Sequence, residues 1–243
     1  MSHNITVESG KSLKLKTAGK YCDRDIVVTA EGGGMVVCEL EEPSQTNTIK
    51  KINDLKISYP NATSVGEAAF NDCKALTKID LPIATIIEED AFVGCQNLKT
   101  VNMPLVTTIK AGAFNLCASL KSVNLPSATF VGDRVFANCS SLEYIDLPKA
   151  TRLGDAPFLY CTNLKAVILR TTETVCAIDI GAFMIDWDDN GMPTIINDKF
   201  YIPSSMYEYY RSAYEPAFEE YGFGGYFDIV FHKIEDYPDI CGG

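Results

Sequence analysis

Apolar residues recur every 22 positions through the middle of this chain. Phe70, Phe92, Phe114, Phe136 and Phe158 form one column, and Leu76, Leu98, Leu120, Leu142 and Leu164 another. Ile79, Val101, Val123, Ile145 and Val167 keep the same register, as do the prolines from Pro60 to Pro148 and the threonines from Thr63 to Thr151. No insertion interrupts them. A fixed period of this length signals repeat architecture. One unit carries too little apolar surface to fold alone, so neighbouring units must stack into a solenoid. Leu98-x-x-Val101-x-Met103 ends with period 2 and predicts a short strand. Pro104 cannot donate to a ladder and ends it. Thr107-x-Ile109 predicts a second short extended piece. Ala113-Phe114-x-x-Cys117-x-x-Leu120 is spaced by three, which predicts a 3₁₀ or short helical turn. The fold class expected is an α/β repeat solenoid whose strands pair in parallel, with the turns on the opposite side more widely spaced.

The ends break the pattern and divide the chain. Residues 1–30 alternate in three short runs and predict a small, separate β meander, with Glu31-Gly32-Gly33-Gly34 as a flexible linker. Residues 35–185 hold the solenoid and its N-terminal cap, and residues 186–243 form a C-terminal cap. Arg170 follows Leu169 where earlier units have proline, and Phe183 falls three positions late, so Val175 to Phe183 reads as a degenerate last repeat. Solenoid ends expose core and need sealing. The stretch from Phe200 to Tyr237, dense in Tyr and Phe, suits that task, with a helix from Ser204 or Ser205 to about Tyr214 and a last strand over Phe227, Ile229 and Phe231. Its alternative use is an aromatic patch for sugar rings.

Composition narrows the function. The chain has 243 residues, 47% of them hydrophobic, and a net charge of −11. That charge disfavours nucleic acid, whose phosphates demand cations, and an anionic membrane surface. No apolar run is long enough to insert in a membrane, and Met1-Ser2-His3-Asn4 does not open like a signal peptide. Cys73, Cys95, Cys117, Cys139 and Cys161 read as a repeated small core position, too far apart to bridge. Two histidines, His3 and His232, lie in opposite ends and give no base beside a nucleophile, so catalysis is not expected. Gly222-Phe223-Gly224-Gly225 lacks the lysine of a phosphate loop and reads as a turn. No cofactor is implied. Asp186-Trp187-Asp188-Asp189-Asn190-Gly191 places oxygens at positions 1, 3 and 5, with Asp186, Asp188 and Asn190 as a weak calcium set. Position 12 is Asn197 rather than an acid, and a solvated hairpin turn is the stronger reading.

The repeat string, roughly L-P-x-A-T-x-[IV]-G-x-x-A-F-x-x-C-x-x-L, resembles the BspA-like class of leucine-rich repeats over residues 55 to 185. That resemblance implies a leucine-rich-repeat solenoid used for adhesion and ligand binding, not catalysis. Leu15 to Ala30 and Tyr201-Ile202-Pro203 with Met206 and Tyr210 are similar to segments of phage and prophage proteins of Gram-positive bacteria. This implies a virion (phage tail) or cell-surface location, contacts with other virion proteins through the N-terminal unit, and a homotrimer. Recognition should then use the positions that vary between fixed core columns. One extended piece presents Asn102, Asn124 and Tyr144, and the second presents Ile86, Phe130 and Arg152. Tyr144, Phe130 and Arg152 are the expected anchors, since exposed aromatics and arginine dominate binding hot spots. The expected partner is a bacterial surface glycan or protein, or a host protein or glycan if the chain is an adhesin. Glu67, Glu89, Asp133 and Asp155 precede each Ala-Phe turn, where acids favour a helical N-terminus.

Overall fold

The computed structural model describes residues 3–7, 12–16, 26–30, 35–39, 55–60, 62–187, 193–196, 199–220 and 230–241. Its repeats form a β-solenoid of about six turns. One ten-stranded sheet takes a strand from every coil: His3–Val7, Ile26–Ala30, Leu55–Ser58, Leu76–Asp80, Thr100–Asn102, Ser122–Asn124, Tyr144–Asp146, Ala166–Ile168, Phe200–Ile202 and Phe231–Lys233. A six-stranded sheet takes the second piece: Ser64–Val65, Ile86–Ile87, Thr108–Ile109, Phe130–Val131, Arg152–Leu153 and Ala177–Ile178. All pairings in both are parallel, and from Ser64 to Leu153 the shorter sheet pairs residues 22 apart, so Ile86, Thr108, Phe130 and Arg152 lie side by side.

The fixed columns fill the interior. Phe92, Phe114, Cys95, Cys117, Leu98, Leu120 and Ile109 are fully buried. Phe70, Phe92, Phe114, Phe136 and Phe158 stack in one file, with centroids 5.0–6.1 Å apart and planes within 7°. That separation exceeds face-to-face contact, so the rings are offset, the arrangement their quadrupoles favour. The threonines build a second ladder. The Oγ1 of Thr107, Thr129 and Thr151 each donates to the carbonyl of the threonine one coil back, at 3.0–3.2 Å.

The turn side departs from expectation twice. It is not widely spaced: the N–H groups of Phe70, Phe92, Phe114 and Phe136 donate to the next coil's backbone at 2.7–2.9 Å. Nor is it helical. Bonds such as Cys73 N–H to the Phe70 carbonyl and Leu76 N–H to the Cys73 carbonyl make separate i→i+3 turns, because two positions per coil are left-handed. One column is Ala68, Asp90, Gly112, Arg134 and Ala156, and the other is Asp72, Gly94, Leu116, Asn138 and Tyr160. A left-handed residue cannot continue a right-handed helix.

The cysteines are held by donation rather than distance. The thiols of Cys95, Cys117, Cys139 and Cys161 each donate to the carbonyl of the phenylalanine 25 residues earlier, at 3.0–3.2 Å. These four and Cys176 are free and buried. Cys73 departs from the column and is disulfide-bonded.

The N-terminal strands form where alternation placed them, but not as a meander. His3–Val7 pairs in parallel with Ile26–Ala30, which pairs in parallel with Leu55–Ser58. Ser12–Lys16 likewise pairs in parallel with Met35–Glu39. Alternation specifies a strand and a buried face, not the direction of its partner.

The last repeat is degenerate as read: Ala177 pairs with Arg152, 25 positions away instead of 22. A 3₁₀ turn at Ser204–Met206 leads into a helix over Tyr207–Glu220, longer than the one predicted and passing through Pro216. The Glu235 carboxylate, not a serine, accepts the Ser204 N–H at its start, at 2.9 Å. The last strand is Phe231–Lys233, while Phe227 and Ile229 lie outside the described residues. Phe183, Phe200, Phe218 and Phe231 meet edge-on and close the phenylalanine file.

Candidate binding surface

The outward residues of the two sheets vary from coil to coil on a frame of constant core columns, and they form two separate rows among the described residues. On the ten-stranded sheet, Lys78 and Asp80, Thr100 and Asn102, Ser122 and Asn124, and Tyr144 and Asp146 flank one buried residue per strand. Asn102 donates to the Asp80 carboxylate. Arg170, standing where proline was expected, donates to Asp146 at 2.8 Å. Tyr144 is 39% exposed. One face of its ring is occupied by the Lys165 ammonium at 5.4 Å, and Lys165 also bonds Glu143 at 2.6 Å. That hydrogen bond holds the Glu143 carboxyl below its ordinary value.

The row does not run to the end of the sheet. Ala166 and Ile168, its next members, are buried with Tyr201 beneath Ile234 and Ile240 of the C-terminal segment. Tyr201, His232 and Tyr237 pack ring to ring beside them, at 5.1–5.3 Å. Sequence spacing could not reveal this cover, since it comes from residues far along the chain.

On the six-stranded sheet, Ser64, Ile86, Thr108, Phe130 and Arg152 point outward in register. Arg152 reaches Asp179 at 3.5 Å. Ile86 and Phe130 are half-buried. The expected anchors are thus divided: Asn102, Asn124 and Tyr144 share one sheet, while Ile86, Phe130 and Arg152 share the other. Sequence reasoning missed Ile83 and Leu105, 40% and 48% exposed, three residues before Ile86 and Thr108. The signal available was that this position carries Ser127 and Lys149 in later coils, so it varies as outward positions do.

Below this sheet lies a groove of about 350 Å³, lined by Glu89, Asp90, Asn115, Asp133, Arg134 and Asp155 among others. Within the acidic column Asp133 serves the neighbouring backbone: its Oδ1 accepts the N–H of Asp155 one coil on, at 2.9 Å. Glu88 pairs with Lys110. Burial pushes the thiols of Cys95, Cys161 and Cys176 up to about 12, so the cysteine column is chemically quiet at neutral pH.

The acidic loop with Asp188 and Asn190 lies outside the described residues. Met184–Trp187, which includes Asp186, and Pro193–Ile196 pair antiparallel. Among the described residues no three His, Cys, Asp or Glu side chains are grouped to hold a metal ion. No helix among them is long and apolar enough to cross a membrane.

Residues 45–165 match the family described as the BspA type leucine-rich repeat region, in 6 copies. No curated protein matches. Among solved structures, a Treponema pallidum leucine-rich repeat protein is 24% identical with a TM-score of 0.42, covering 66% of this chain and 64% of its own. The pneumococcal vaccine antigen PcpA is 13% identical with a TM-score of 0.47, over 86% and 68%. A leucine-rich cell surface protein of Faecalibacterium prausnitzii is 19% identical with a TM-score of 0.41, over 81% and 58%. This chain therefore spans less than two thirds of the first of these.

Proposed function

We propose, taking as premise that residues 45–165 are a BspA-type leucine-rich repeat region, that this chain is a non-enzymatic binding module displayed at a surface. One observation carries the reading. The frame is held coil after coil by the same threonine, phenylalanine and cysteine bonds, while the outward rows change from Lys78 to Tyr144 and from Ser64 to Arg152. A scaffold with a constant interior and a varied, solvent-facing surface is built for recognition. In the finer reading the module belongs to a phage or prophage tail and presents these rows to a bacterial surface glycan or protein. The N-terminal strands would then attach it to other virion proteins, as a homotrimer. In the second reading, which the repeat family also suits, it is an adhesin for a host protein or glycan.

The test is direct. Fluorescent full-length chain is titrated onto Gram-positive cells and onto host epithelial cells, with Tyr144→Ala and Phe130→Ala variants alongside. Saturable binding to bacteria, weakened at least tenfold by one of the variants, supports the tail reading and says which sheet is used. Binding to host cells alone moves the module to the adhesin reading. Binding to neither overturns both.

A further inference from the structure

The six-stranded sheet carries a patch of exposed and half-buried apolar side chains that is uncovered among the described residues. Ile86 and Phe130 flank Thr108 on consecutive strands in register, and Ile83 and Leu105 stand at the corner just before them. Single exposed apolar residues are ordinary; two exposed and two half-buried ones gathered across three neighbouring coils point to an interaction surface. The opposite sheet offers a contrast within one molecule. There the outward Ala166 and Ile168 are covered by Ile234 and Ile240.

Charge selects the occupant. Along the patch run Glu67, Glu89, Asp90, Asp133 and Asp155, with Glu89, Asp90, Asp133 and Asp155 lining the groove beside it. The cations on this flank are mostly answered by acids: Lys110 is paired with Glu88, Arg152 beside Phe130 with Asp179, and Arg134 lies in the groove among carboxylates, while Lys149 is exposed two coils beyond Leu105. A second copy of this chain would bring another −11 charge to an acidic surface, so self-association there is opposed. An anionic glycan is opposed for the same reason. We infer that the Ile83–Ile86–Leu105–Phe130 patch is a docking surface for an extended protein segment whose apolar side chains alternate with lysine or arginine. The apolar side chains would cover the patch, and the cations would face the groove. Carboxylates at the rim would then speed encounter and reject acidic competitors more than they deepen affinity. This inference rests on the binding-module reading and names the face and the chemistry of the partner.

The test uses two labelled twelve-residue peptides, alternating Leu-Lys and alternating Leu-Glu, with fluorescence anisotropy on the full chain. The Leu-Lys peptide is expected to bind at least tenfold more tightly than the Leu-Glu peptide, and more weakly as salt rises. Phe130→Ser and Glu89→Lys should each weaken it about tenfold, with circular dichroism unchanged. A charge-matched control, Glu219→Lys on the exposed surface of the terminal helix, should shift it less than twofold. Equal binding of the two peptides, or equal losses in the control and the patch variants, overturns the proposal. If cell binding persists, depends on Tyr144 and ignores Phe130, the patch proposal fails while the binding-module reading stands.

Discussion

At the scale of single residues, the repeat asks two side chains to do unusual work. Cys95, Cys117, Cys139 and Cys161 are each a small apolar filler that also donates to a buried carbonyl, which alanine could not do. Burial holds these thiols protonated far above their ordinary value of 9.0. The unfolded chain therefore releases these protons first. Stability fully present below pH 9 should be lost as pH rises toward about 12, a window that the Tyr214 hydroxyl, also raised to about 12, reinforces. Urea midpoints measured from pH 8 to 11 should fall monotonically, and native thiols of this column should resist alkylation at pH 8. The left-handed columns make a second residue-scale statement. Leu116 and Tyr160 sit at positive φ and are 44% and 40% exposed. A left-handed conformation costs a non-glycine residue about 1–2 kcal/mol. Leu116→Gly should thus leave stability unchanged or raise it by up to about 1 kcal/mol, whereas Phe114→Ala, fully buried between two stacked rings, should cost about 3–5 kcal/mol. Chemical denaturation of the two variants separates these outcomes.

At the scale of elements, the interesting problem is how each sheet stops. The ten-stranded sheet continues into the cap through Phe200–Ile202 and Phe231–Lys233. The six-stranded sheet instead ends at Ala177–Ile178, whose outer backbone groups would be orphaned. Tyrosines meet them: Tyr210 accepts the Cys176 N–H at 2.9 Å, while Tyr214 accepts the Ile178 N–H and donates to the Cys176 carbonyl, at 2.6 and 2.7 Å. Tyr214→Phe should therefore cost about 1–3 kcal/mol despite removing one oxygen, because two buried backbone groups lose their partner. Hydrogen exchange at Ile178 should accelerate with it. Much of this scale was legible in the chain. Leu98-x-x-Val101-x-Met103-Pro104 announced its strand, whereas the strand Phe200–Ile202 was not foreseen. What was not legible has physical reasons. The i→i+3 turns that the spacing of three implied are present but do not join into a helix, because two columns are left-handed; Gly94, Gly112 and Asn138 signal this, whereas Arg134, Ala156, Leu116 and Tyr160 do not. The meander failed because alternation is silent about partner direction. The terminal helix ran past Tyr214 because tertiary packing of Phe218 outweighed Pro216. The outward rows could be read as the complement of the core columns, but the cover over Ile168 could not.

At the scale of the whole molecule, each coil bonds only to the coils beside it, so stability is close to a sum of neighbour terms. Removing residues 105–126 joins Pro104 to Ser127 and preserves every column. That deletion should give a folded, cooperatively melting chain with a somewhat lower midpoint. Removing residues 105–115 shifts all later columns by half a coil and should abolish cooperative melting. Calorimetry distinguishes them. The threonine and phenylalanine ladders have one more consequence. All their bonds run along a single axis, so tension applied to the two ends opens them one after another rather than together. Each step frees one 22-residue coil, about 75 Å of extended chain at roughly 3.3–3.6 Å per residue. The molecule would behave as a ratcheted tether, paying out length in equal increments while the coils not yet reached keep their surface intact.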